Sequence, residues 1–585
     1  MVHTLRSFLA RLRVYVLLRA ALAILQRDGF ESLASRGVKW IKGERRYYGG
    51  GLSADSSLSY ARFTALFEPN AHTLEHQRNE AKIGQRVFSI HGSCSGASLS
   101  QWQATLASLQ SQTYPHWILH LQNTDEAVYH QLLQQDHRVQ NSEPTEDYRI
   151  EITPGDSLAP FALLTIASTL YEHPETDVIY SDEDQLDEQG NRTKPLFKPD
   201  WSPEMMFSCD LLDGLCVYRN MEIGSKENLH YKLAERAKVI RHIPHILIHR
   251  ESPRLPPSPD LLRNYLQETG ALLPQVTNGF VRWQPRQKRR VSIIIPSRDH
   301  ARVLERCLTS LFEITTYENF NVIIVDTGSK ERATQDLYAK YASNPKLQIV
   351  PYTGDFNFSK ACNQGAHAAD GDLLLFLNND VEILHHDWLD LMAQWFERNG
   401  VGIVGAKLLY PNRRLQHAGI IVGLNGLAAH LFLGEQENVT SIFGSDNWYR
   451  NVLAVTGACL MISRQAFDAV GGFDEAYILS YSDVQLGISV YEAGYRIVYT
   501  PHVRLIHHES VSRGTKVPRS DFIRANERWR QWLDTIDPYF NPNLTHRSTF
   551  PRLRQSIQDT AYHSNVELMS RLPEKMILTI PDDVI

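Results

Sequence analysis

LLLFLNNDVEIL, residues 373 to 384, sets two amides and a carboxylate, Asn378, Asn379 and Asp380, directly behind five apolar residues. An uninterrupted apolar run of that length reads as a strand covered on both faces, and its polar end is a place where a ligand can be met. Two earlier runs stop in the same manner, VSIIIP at Pro296 and FNVIIV at Asp326. In open α/β sheets the ligand crevice lies beyond the carboxyl ends of the strands, so Pro296, Asp326 and Asp380 are expected to converge. Each residue taken singly also suits a turn or a loop cap; three such strand ends together favour a crevice. No GxGxxG follows the first strand and no GxxxxGK[ST] occurs, which argues against a dinucleotide oxidoreductase and a P-loop nucleotidase.

The elements that must position these residues alternate strand and helix. Leu304, Cys307, Leu308 and Leu311 recur at helical spacing after the first strand, LQIVPY follows the second, and a helix is expected from Phe358 to Ala369, closed by Gly371. Such alternation implies right-handed crossovers and a parallel sheet. A looser alternation runs from VFSIHG at 87 to HIPHILIHR at 242–250. The chain is therefore divided into a basic helical segment 1–85, a first α/β domain 86–250, a connection 251–285 opening with the Pro-rich ESPRLPPSPD, a second α/β domain 286–550 and a tail 551–585.

The 585 residues, 43% hydrophobic and 22% charged, are enough for several cores, and a net charge of -6 gives no whole-chain attraction to nucleic acid. Residues 1–46 carry ten Lys or Arg against three Asp or Glu. The run VYVLLRAALAIL within them is too short to span a bilayer. It reads as a basic amphipathic helix on an anionic membrane surface or as a helix packed on the next domain. Six cysteines without a CxxC fit a reducing, cytoplasmic setting.

VSIIIPSRD, VIIVDTGS, FNFSKACNQG, LLLFLNNDVEI, VGIVGAKLLYPNRRLQHAG, VTGACLMISRQAFDAVGGFDE, YSDVQLGISVYEAGYRIVYTP and HHESVSRG occur in that order. The succession, over about 291–545, resembles the family 2 glycosyltransferases, in the branch of bacterial O-antigen, rhamnan and other surface-polysaccharide clusters. The resemblance implies a GT-A fold, a nucleotide-sugar donor and transfer with inversion to a glycan or lipid-linked acceptor.

Carried over residue by residue, Asp380 matches the metal-binding aspartate for Mn²⁺ or Mg²⁺, with two Asn in place of the acidic residues of a DxD. Asp326 matches the acceptor of the base N–H, and Pro296 the turn against which the base rests. Asp483 in YSDVQLG matches the catalytic base, and His508 in HHES a late histidine that can ligate the metal, with a supporting role for His507 or His508 as the alternative. Asn379, His417 and Gly457 fall where the sugar or acceptor side is lined. Relatives read NDVDLCLR around the base; here Ser482, Gln485, Gly487 and Ser489 replace four of those residues, which puts the support of Asp483 in question.

The first domain resembles the same family in worn form. YSDEDQLDEQGNRTKPLFKPDWSP at 180–203 is a mark of two-domain members, yet the metal signature is reduced to Asp156 and KENLHYKLAE stands where the base would be. Asp182, Glu183 and Asp184 read as a solvated acidic loop. The expectation is two tandem GT-A-like domains, the first degenerate, the second catalytic. A transferase with both domains active and a non-catalytic glycan scaffold are the rivals.

Overall fold

The computed structural model describes residues 56–80, 86–93, 96–122, 125–142, 147–221, 223, 228–277, 279–508 and 517–571. The basic segment 1–46 and Cys94 lie outside the described residues. Among those described, no helix is long and apolar enough to cross a membrane.

The amino-terminal sheet contains β1 (Phe88–Ser93), β2 (Trp117–Gln122), β3 (Val139–Gln140), β4 (Tyr148–Ile152), β5 (Ser157–Leu158), β6 (Val178–Leu186), β7 (Arg192–Leu196), β8 (Cys216–Arg219) and β9 (Ile240–Arg250). Their order is β3-β2-β1-β4-β8-β6-β9-β5, with β7 on β6. A hairpin of β10 (Leu272–Thr277) and β11 (Phe280–Gln284) follows. The second sheet uses β12 (Val291–Ser297), β13 (Phe320–Asp326), β14 (Leu347–Pro351), β15 (Leu373–Leu377), β16 (Val381–Ile383), β17 (Val401–Leu409) and β18 (Leu415–His417). After the short pairs β19 (Ile420–Val422) with β20 (Ala428–His430) and β21 (Thr440–Ser441) with β22 (Gly444–Ser445) come β23 (Arg450–Asn451), β24 (Cys459–Ser463) and β25 (Arg496–His507).

The second order, β14-β13-β12-β15-β24-β17-β25-β16 with β18 on β17, repeats the first strand for strand. Directions repeat as well: β1 is parallel to β2 and β4 as β12 is to β13 and β15, and β8 and β24 enter antiparallel. Two tandem GT-A-like α/β domains result. β15 and β17 are buried along their whole length, as expected of strands with both faces covered. The helix Ala301–Ile314 packs there through Leu304, Cys307, Leu308 and Leu311. The helix Phe358–Ala368 is capped by Asn357, whose side chain accepts from Lys360 N–H at 2.9 Å. Gly371 serves packing rather than helix termination: a Cβ there would lie 2.6 Å from Ser292 N.

One hydrophobic core runs through both halves, holding Val178, Met205 and Tyr231 together with Val291, Leu308 and Trp395. The stretch 251–285, expected as a connection, contributes to it. Pro259 starts a helix to Glu268, where a missing N–H costs nothing, and Leu262, Leu266, Val276, Val281 and Trp283 are buried. In the tail, the helix Ala561–Arg571 is tied to the second domain by Asn565 Nδ2, which donates to Gly426 O at 2.6 Å.

The acidic run 182–184 is not a solvated loop. It lies on β6, with Asp182 and Asp184 fully buried and Glu183 nearly so. Asp182 accepts from Lys198 N–H (2.8 Å) and from Asn541 Nδ2 (3.0 and 2.9 Å), and pairs with His242 Nε2 (2.9 Å). Glu183 meets Lys198 Nζ at 3.0 Å and Arg254, while Asp184 meets Arg192 and His249, each at 2.6 Å. Asn541 belongs to the second domain, so this motif bonds the two halves together. KPDWSP continues the seam: Asp200 N–H donates to Pro538 O (2.9 Å), Ser202 Oγ to Asn451 Oδ1 (2.9 Å), and buried Glu204 pairs with Arg496 (2.9 Å). Asp182→Ala is expected to destabilise the chain by about 3–5 kcal/mol, because it strands buried donors and His242 without their carboxylate. A calorimetric transition unchanged from wild type would show that the seam carries little of the stability.

Candidate active site

Three strand ends of the second sheet share one edge. Ser297, the last residue of β12, lies in register with Asp326, the last of β13. Asn379 in the turn after β15 donates from Nδ2 to Ser297 Oγ at 3.0 Å, which ties the third end to the first. Asp326 Oδ1 accepts from Ser329 N–H (3.0 Å), from Ser329 Oγ and from Tyr338 OH (3.2 Å). That oxygen caps the loop, which turns at Gly328 with φ +96°. Oδ2 accepts no hydrogen bond among the described residues. Pro296, half-buried, precedes Ser297 in β12.

Asp380, 6% exposed, begins the turn into β16, whose Val381 pairs with His507 at the end of β25. The His507 Nε2 lies 3.0 Å from Asp380 Oδ1, with Asn378 Nδ2 3.2 Å away, and Nδ1 lies 2.7 Å from Gln416 Oε1. His508, expected as the metal ligand, turns the other way. Its main-chain N–H donates to Asp380 O (3.0 Å), but its ring meets Glu382 at 3.1 Å and Arg306 at 3.2 Å. Asp380 lies in the turn ahead of β16 rather than in the strand, and its side chain crosses to His507 instead of staying beside His508, the residue opposite it in the register.

The donor set fits a divalent cation. One carboxylate oxygen and one imidazole nitrogen 3.0 Å apart match adjacent vertices of an octahedron with bonds of about 2.1 Å, and Mg²⁺-type sites use one or two carboxylates and leave the rest to substrate phosphates and water. Among the described residues no third His, Cys, Asp or Glu joins them.

Asp483 stands in the first turn of the helix Ser482–Glu492, entered through Tyr481 in the left-handed region, φ +67°. Its Oδ2 accepts from Gly457 N–H at 2.9 Å. A cavity of about 200 Å³ is lined by Asn378, His430, Gly457, Tyr481, Asp483 and His507, so base candidate and metal-side histidine face one space. The departures from the family pattern form their own support. Gln485 accepts from Trp529 Nε1 (3.0 Å) and donates to Ser489 Oγ (3.1 Å). Gly487 lets the helix press against the chain at 453–454, since a Cβ there would sit 2.4 Å from Leu453 O and 2.9 Å from Ala454 Cα. Gly487→Ala should therefore displace the helix, cost about 1–3 kcal/mol and lower turnover through Asp483; an unaltered melting curve and rate would refute that packing role.

His417, expected to line the substrate, is fully buried behind the cavity, its Nδ1 2.9 Å from His430 Nδ1. Burial, with His430 and His507 nearby, holds its pKa well below the usual histidine range. His430 takes the lining position. His430 lies outside every motif singled out in the sequence, and Gln416 is the first residue of QHAG, in which only His417 was expected to act.

The repeat allows a direct comparison with the first domain. Ser157 pairs with His249 as Val381 pairs with His507, which makes Asp156 and His249 the counterparts of Asp380 and His507. His249, however, is bound to Asp184, and Asp156 Oδ1 accepts from Glu251 N–H at 2.9 Å while burial pushes its pKa up to about 6. Counting from left-handed Asn228, the counterpart of Tyr481, His230 takes the place of Asp483 and is paired with Asp210 at 2.6 Å. Arg250 and Arg254 fill the same end through Asp213 and Glu183. Only residues 141–147 join β3 to β4, where the second domain carries the helix Phe358–Ala368.

Residues 292–471 match the family model described as Glycosyl transferase family 2, and the carboxy-terminal half of the chain carries a domain of that family. The O-antigen biosynthesis protein RfbC of Myxococcus xanthus is 36% identical over 436 residues, 69% of this chain and 34% of that protein. The uncharacterized protein y4gI of Sinorhizobium fredii is 34% identical over 434 residues, 66% of this chain and 47% of its own. An N-acetylglucosaminyl-diphospho-decaprenol L-rhamnosyltransferase of Mycobacterium tuberculosis is 27% identical over 238 residues, 36% of this chain and 73% of its own. The chain spans less than half the length of the first two.

Proposed function

We propose that this chain is an inverting glycosyltransferase that moves a sugar from a nucleotide-sugar donor onto a growing bacterial surface glycan, lipid-linked and presented at the cytoplasmic face of the membrane. The observation that carries the reading is the single cavity in which Asp483 faces Asn378 and His507, with Asp380 against the same imidazole. The O-antigen and rhamnosyl relatives supply the substrate class.

In this reading Pro296 and Asp326 receive the base of the donor, and Asp380 with His507 would hold Mn²⁺ or Mg²⁺. A bound divalent cation supplies neutralisation of the charge that develops on the leaving phosphates. Asp483, its Oδ2 oriented by Gly457 N–H, takes the proton of the acceptor hydroxyl. That oxygen bonds to the anomeric carbon on the face opposite the diphosphate as the carbon–phosphate-oxygen bond breaks. The first domain does no chemistry, since His249 and His230 are taken up by Asp184 and Asp210 and Asp156 by Glu251 N–H, and it holds the second domain and the acceptor in place. Incubating the full chain with a panel of nucleotide sugars and Mn²⁺ or Mg²⁺ tests this. Cation-dependent release of one nucleoside diphosphate is expected; no turnover of any donor would favour a glycan-binding scaffold.

A further inference from the structure

Gln416 sits at the irregular pairing of β18 with β17, between the paired residues Leu415 and His417, and is 4% exposed. Its neighbour His417 is turned to His430 on the acceptor side, whereas the Gln416 side chain reaches the other imidazole of the cavity, His507, at 2.7 Å. The contact is from Oε1 to Nδ1. An amide oxygen only accepts, so this contact calls for a proton on Nδ1 and leaves Nε2, 3.0 Å from Asp380 Oδ1 and 3.2 Å from Asn378 Nδ2, as the nitrogen on the Asp380 side. An imidazole is nearly the same shape after a half-turn about its bond to Cβ. Packing alone therefore discriminates poorly between the two orientations, whereas the hydrogen bond to Gln416 favours the one observed.

We propose that Gln416 is a positioning residue for divalent-cation binding, fixing the rotation and tautomer of His507 so that Nε2 points with Asp380 Oδ1 at one ion. The inference rests on the metal reading given above. Partners that accept the second N–H of a metal-binding histidine ordinarily contribute about 10–100-fold to affinity. Here the partner is a neutral amide, which leaves Asp380 the carboxylate of the pair.

The test uses the full chain and Mn²⁺ alone, with free ion read by electron paramagnetic resonance and folding checked by thermal denaturation. Gln416→Met, which keeps the length of the side chain but cannot accept a hydrogen bond, is expected to weaken Mn²⁺ binding about 10–100-fold. Gln416→Glu, which restores an acceptor to Nδ1–H, is expected to bind within about threefold of wild type or tighter. His507→Ala should lose binding at least as far as Gln416→Met. Gln416→Leu gives a second acceptor-free variant should the Met side chain fail to fold. Wild-type affinity in a folded Gln416→Met or Gln416→Leu, with loss in His507→Ala, would overturn the inference while leaving the metal site standing. Absence of Mn²⁺ binding by wild type would overturn the metal reading and this inference with it. Failure of Gln416→Glu to recover affinity would show that bulk, not the accepted hydrogen bond, is what position 416 supplies, and would likewise overturn it.

Discussion

Asp380→Ala is expected to abolish cation-dependent release of nucleoside diphosphate while the thermal transition stays within a few degrees of wild type. The carboxylate is 6% exposed and adjoins His507 rather than the core, so its loss removes a charge from the crevice and little packing. Without it one imidazole remains as the protein's donor to the ion. A single neutral ligand does not hold Mn²⁺ or Mg²⁺ beside a diphosphate, and the leaving phosphates lose their neutralisation. Adding Mn²⁺ at high concentration should not restore the rate. Full activity in a folded variant would remove Asp380 from the metal site.

Asp483→Asn should lower turnover by about 10²–10⁴-fold, the range in which a positioned general base acts, with the apparent affinity for donor nearly unchanged. The amide keeps the volume and its oxygen can still accept from Gly457 N–H, while Val484 N–H loses the acceptor that Oδ1 gives it at 2.9 Å, so a thermal transition is recorded beside the kinetics. What it cannot do is take a proton. Steady-state kinetics at varied donor and acceptor concentrations separate the two effects: a fall in kcat alone fits the base, and a rise in donor KM does not.

The strand ends were legible because three long apolar runs each stop abruptly at Pro, Asp or Asn, and β12, β13 and β15 fall where VSIIIP, FNVIIV and LLLFL place them. The contact of Asp380 with His507 rather than His508 was not, since Asp380 sits in a turn ahead of β16, where strand alternation does not set the direction of a side chain. Gln416 and His507 meet across 91 residues of sequence, a contact no local pattern encodes. The acidic run 182–184 misled for a different reason. Polar residues in succession resemble a loop, yet each of these carboxylates is matched by a cation or amide delivered from β9, from Lys198 or from Asn541. The same seam means that removing residues 1–250 would strip one wall from a shared core, so the role of the first domain is better probed by point substitutions on the intact chain.

In the proposed reaction two carboxylates of one crevice have separate duties, Asp380 toward the donor diphosphate and Asp483 toward the acceptor hydroxyl. Calorimetric titration of the cognate nucleoside diphosphate into wild type, Asp380→Ala and Asp483→Asn, each with and without Mn²⁺, tests it most directly. Asp483→Asn is expected to bind as wild type does, and Asp380→Ala to lose the part of the affinity that depends on Mn²⁺. Loss of that Mn²⁺-dependent binding in Asp483→Asn, with Asp380→Ala unaffected, would contradict it.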